Sequence, residues 1–122
     1  MGWRAGKRLR FPDHSNPKKL IVAAGECAQF GPDEHPPPPE LKLAWQTREY
    51  GVLPEAGGLR DQPAGLLDRM DAAYHTHRAV KAWARAFYHG SGSFNQWAQK
   101  NEDVWRVVKE YHKYKEEFDN GP

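Results

Sequence analysis

The chain has 122 residues, 39% of them hydrophobic, and a formal net charge of +2. That length fits one domain with a modest core, in which five each of Trp, Tyr and Phe must supply much of the buried area. The lone Cys27 excludes an intramolecular disulfide framework and leaves a zinc site short of thiolates; no apolar run is long enough for a membrane span, and no apolar stretch follows the basic N-terminus to make a signal peptide.

Residues 1–19 read as an irregular arm, interrupted by Gly2, Gly6, Pro12, Asn16 and Pro17. Arg4, Lys7, Arg8, Arg10, Lys18 and Lys19 face one acid, Asp13, for a local charge of +5 that leaves −3 on the remainder. The apolar run over 20–24 fits a strand or a turn or two of helix. As a helix it would cover 17–29, with Pro17 in the first turn and Gly25 as a weak point. The stretch 31–39, with four consecutive prolines, is a stiff connector of polyproline II character. It is read as a spacer; a ligand for an aromatic groove is the functional alternative. Arm and connector together make up 1–36, and a helical domain is expected over 37–122.

A short helix is predicted over 40–50, with Leu41, Ala44 and Trp45 on one face and Gly51 at its C′ position. Residues 51–63 form a defined elbow, since Gly57 and Gly58 can take positive φ and Pro54 fixes the path. Asp61 is read as the N-cap of the next helix, Glu55 and Gln62 as partners for turn amides, and Leu53 and Leu59 as pins onto Trp45. Apolar residues from Leu66 to Tyr88 recur at steps of three and four and predict a long helix ending near His89, before Gly90-Ser-Gly92. Ser93 with Gln96 is a capping-box pattern opening a second long helix through Phe118, thinned over 99–103, where the reading allows a kink or a break. The fold class is therefore mainly α: two long antiparallel helices, a short helix before them, and a basic N-terminal arm.

Chemistry-bearing clusters are sparse. His75 and His77 lie two apart and point to different sides of a helix, so they cannot chelate one ion as an i, i+4 pair would. Cys27 lacks a catalytic flank, and Gly57-Gly58 and Gly90-Ser-Gly92 lack the order of a phosphate loop. Asp61, Asp68 and Asp71 suit a helix N-terminus. No catalytic, metal or cofactor-binding residue is assigned, and the chain is read as non-enzymatic. Trp97 and Trp105 combine core spacing with a surplus of aromatic area, which marks an interface as well. In the arm, Trp3, Arg4, Lys7, Arg8 and Arg10 interleave cations with an aromatic ring; nucleic-acid binding through phosphate neutralisation and base stacking is the alternative function.

The box Gly51-Val-Leu53-Pro54-Glu55-Ala-Gly57-Gly58-Leu-Arg-Asp61-Gln62-Pro63 resembles short virion-assembly proteins of tailed bacteriophages and prophages. Those proteins carry a Pro-rich lead, a Trp-containing helix, a G-x-L-P-E-A-G-G-x-x-D-Q-P turn and a following helix with Met. Pro36, Pro37, Pro38, Pro39, Leu41, Trp45 and Met70 fit that outline, and the resemblance covers residues 36–74. It implies a structural or assembly protein of the tail or head-tail region, such as a tail assembly chaperone. Such a protein acts through protein partners or self-association, in the bacterial host cytoplasm during assembly or in the virion. Trp45, Leu53, Pro54, Glu55, Gly57, Gly58, Asp61, Gln62, Trp97 and Trp105 are the expected partner-binding residues.

Overall fold

The computed structural model describes residues 17–89 and 93–120. Among them lie five α-helices: α1 (Pro17–Phe30), α2 (Pro39–Tyr50), α3 (Leu66–His89), α4 (Phe94–Lys100) and α5 (Glu102–Asn120). A 3-10 turn over Leu59–Asp61 sits between α2 and α3. The mainly α class expected from the sequence is what the chain adopts.

Local chemistry sets each boundary. Pro17 opens α1, where a missing N–H is costless. Gly31, at φ +95°, ends it, its N–H donating to the Cys27 carbonyl at 3.0 Å. Pro38 (φ −65°, ψ 156°) precedes α2, and its carbonyl accepts from the N–H groups of Leu41 and Lys42. Gly51 closes α2 in the left-handed region (φ 68°), donating to Thr47 O at 2.8 Å. The Ser93 hydroxyl accepts from the Gln96 N–H at 3.1 Å and starts α4. Asn101 (φ −128°, ψ 50°) then separates α4 from α5, so of the kink or break that the sequence allows over 99–103 the chain makes a break.

The structure decides one open alternative and moves one boundary. The 20–24 run is helical: α1 covers Pro17–Phe30 against the expected 17–29, inside the segment 1–36 read as arm and connector, and it packs on α3 and α5. Gly25 does not interrupt it, because tertiary packing outweighs the propensity cost of about 1 kcal/mol. The third helix opens at Leu66, not at Asp61. Gly65 takes φ +74°, and Asp61 is already committed to the turn before it.

The hub is α3, which enters every core cluster. One cluster joins Leu20, Ala24 and Cys27 of α1 to Leu41 and Ala73. A second joins Ala44 to Leu66 and Met70. The third joins Ala79 and Val80 to Val108 and Tyr111, with Trp83 and Trp105 packed against it. Tyr111 is fully buried, yet its hydroxyl donates to Gln29 Oε1 at 2.8 Å, which meets the hydrogen-bond requirement of a buried phenol. Burial and the nearby Glu26 and Asp119 push its pKa well up, so it is neutral at any physiological pH. Lys115 to Glu26 (3.1 Å) and Lys18 to Glu117 (3.2 Å) tie α5 to α1 at the rim.

Candidate functional site

Two surface features stand out, the elbow over 51–63 and an aromatic groove built on α4. The elbow owes its shape chiefly to Gln62, which is only 9% exposed. Its Oε1 accepts from the Glu55 N–H at 2.9 Å, while its Nε2 donates to the carbonyls of Glu55 (2.8 Å) and Gly58 (3.1 Å). One side-chain amide thus closes the loop as a backbone strand would. Asp61 Oδ2 accepts from the Gly58 N–H at 2.7 Å, across the 3-10 turn. Gly57 sits at φ +108°, where a Cβ would run into the Asp61 carboxylate.

Several expected roles shift as a result. Asp61 caps the 3-10 turn and not α3. Gln62 does serve turn amides, as expected, but from a buried position. Leu53, Pro54 and Glu55 are half-buried, whereas Leu59 is 69% exposed and so is not pinned onto Trp45. Tyr50 and Val52 are exposed beside the elbow as well. Trp45 itself packs on the α1–α3 cluster and meets the His77 ring edge-on at 5.1 Å, which makes it chiefly a core residue.

The groove has a volume of about 400 Å³ and is lined by Trp83 and Phe87 of α3, Phe94, Trp97 and Lys100 of α4, and Asn101. Phe94, Trp97 and Trp105 form a triangle of rings: Phe94 meets Trp105 edge-on at 4.8 Å, and Trp97 stands 6.1 Å from Phe94 and 6.4 Å from Trp105. Trp105 reaches inward to the third core cluster and so couples the groove to the fold. Phe87 is 63% and Phe94 43% exposed, and together with Trp83 and Trp97 they make one contiguous apolar lining. Trp83 forms the rear wall, held by an edge-on contact with His112 at 4.9 Å. Burial, then Lys115, lowers the His112 pKa against an opposing hydrogen bond to the Val108 backbone; burial, then Lys81, lowers that of His77.

The groove offers aromatic faces, one rim cation and the side-chain amides of Gln96 and Asn101, a set suited to contact and stacking. Cys27 is buried, and burial raises its thiol pKa against the opposing pull of Lys81, so it is a poor nucleophile. Among the described residues no three of His, Cys, Asp and Glu converge to hold a metal ion, and no helix is long and apolar enough to cross a membrane. Of the two expected interface tryptophans, Trp97 lines the groove, while Trp105 packs behind it on the third core cluster. Trp83, Phe87 and Lys100 were missed. Their signal was present as two rings four apart beside the Gly90-Ser-Gly92 helix end, but it reads equally well as a core stripe. The arm residues Trp3, Arg4, Lys7, Arg8 and Arg10 lie outside the described residues. Compared with family models, curated proteins and solved structures, the chain matches none of them.

Proposed function

We propose that this chain is a non-catalytic, phage-type virion assembly or structural protein of the tail or head-tail region, working through protein–protein contacts. The observation that supports this most is the aromatic groove, where Phe87 and Phe94 stay open to solvent although the core is short of apolar residues. Clustered aromatic rings that keep part of their surface exposed suit a protein partner, since aromatic anchors dominate interface energetics. The elbow supports the same reading. Its internal hydrogen bonds make it rigid, and Tyr50, Val52 and Leu59 project beside it. The resemblance of residues 51–63 to tail-module proteins supplies the setting.

The test is genetic and structural. Deleting the chain from the genome that encodes it should leave heads and tails unjoined, or tails unassembled, by electron microscopy. Intact particles at normal yield would remove the reading. The alternative function, nucleic-acid binding through the arm with its charge of +5, is separated by its salt dependence. Binding to DNA or RNA that falls steeply with salt and is abolished by removing residues 1–11 would favour it.

A further inference from the structure

We propose that the groove of one copy takes the acidic, proline-rich 31–39 ridge of a second copy, so that the chain self-associates head to tail. This rests on the contact-protein reading above and names the partner of its groove. The ridge is already formed. Pro32, Asp33, Glu34 and Pro36 are exposed on it, the His35 N–H donates to Gly31 O at 3.0 Å, and the His35 ring meets Phe30 at 5.2 Å. Pro38 has polyproline II angles, and the prolines on either side fix their own φ. Little freedom is lost when such a segment docks.

The two surfaces match in chemistry. Prolyl rings pack on aromatic faces, the means by which aromatic grooves take up proline-rich segments, and Trp83, Phe94 and Trp97 provide those faces. They also match in charge. Asp33 and Glu34 form no ion pair among the described residues, and neither does Lys100 on the groove rim. Lys100 is the cation of the groove lining, and that lining holds no acid. Within one copy no residue of 31–39 lines the groove, and the segment is tethered at both ends, by α1 and α2. The ridge that fills the groove is therefore assigned to another molecule. Groove and ridge are different patches, so the contact is heterologous and generates a ring or a filament, not a closed two-fold pair.

Sedimentation velocity of the full chain, from micromolar to millimolar concentration, tests this. The unaltered chain should form species larger than a dimer, fewer at high salt. Trp97→Ala, which kills the groove, and Asp33→Lys/Glu34→Lys, which reverses the ridge, should each be monomeric. Their equimolar mixture should give a one-to-one pair and nothing larger, because each supplies one intact half. Lys100→Glu, at an exposed position outside the core clusters, should behave as Trp97→Ala does, with its helix content checked by far-ultraviolet circular dichroism. An unaltered chain that stays monomeric at millimolar concentration overturns the inference. So does a ridge variant that assembles as the unaltered chain does, which would mean groove-on-groove pairing. A monomer that is still required for particle assembly overturns this inference alone and leaves the proposed function standing.

Discussion

The ring of Tyr111 occupies the space that a Cβ on Gly25 would need. This contact brings α1 and α5 together and explains a glycine in the middle of a packed helix. Replacing Gly25 with Ala improves helix propensity by about 1 kcal/mol but overpacks a buried, hydrogen-bonded ring at a cost of about 1–3 kcal/mol. The steric term wins because Tyr111 is fully buried and held by Gln29, leaving the ring nowhere to move. Gly25→Ala should therefore lower the urea midpoint. A rise would mean that the helices slide apart without penalty.

Gln62 should be the most sensitive position in the elbow. Gln62→Ala strands the Glu55 N–H and two carbonyls, at about 1–3 kcal/mol. Gln62→Glu keeps the acceptor but sets a carboxylate against two carbonyl oxygens, so it should be worse at neutral pH than in acid. Hydrogen exchange at the Glu55 amide checks both variants, since its protection should fall before that of α3. Unchanged protection would mean that the elbow is held by other contacts.

Stability should decline as pH falls below the ordinary histidine value of 6.5. His77 and His112 have folded pKa values below the usual 6.5. The unfolded chain therefore takes up protons first, and the stabilisation, complete above 6.5, is lost as pH drops through the folded values. His112→Gln should flatten the thermal-melting profile across that window. Trp fluorescence should report loosening around Trp83 in the native chain at the acid end, given its 4.9 Å contact with His112. A profile unaffected by the substitution would assign the pH dependence elsewhere.

Ser93→Ala removes the side-chain cap of α4 and should cost about 1 kcal/mol. The loss should fall mostly on α4, a seven-residue helix, and so on the groove. Near-ultraviolet circular dichroism from Trp97 should weaken more than the far-ultraviolet helix signal. Equal loss of both would show that α4 is not a separable unit.

Much of the helical layout was legible because it depends on short-range chemistry. The stripe from Leu66, the Ser93–Gln96 pattern and the polar interruption before Val104 gave α3, α4 and α5 nearly in place. The hidden parts depended on contacts distant in sequence. Gly25 made α1 look weak because its partner is Tyr111, 86 positions away. Asp61 had the composition of an N-cap, yet its carboxylate is taken by Gly58 and the positive φ of Gly65 delays the helix. The groove was half legible. Trp97 and Trp105 were marked by their surplus of ring area, but no periodicity distinguishes a Phe87 that faces solvent from one that faces the core.

Particle assembly by a chromosomal Trp97→Ala variant is the most direct measurement, made alongside its far-ultraviolet circular dichroism and melting temperature. With helicity retained, joined or tailed particles should drop sharply, showing that the groove is what the protein contributes. Normal particle yield from a folded variant that lacks this ring would contradict the proposal.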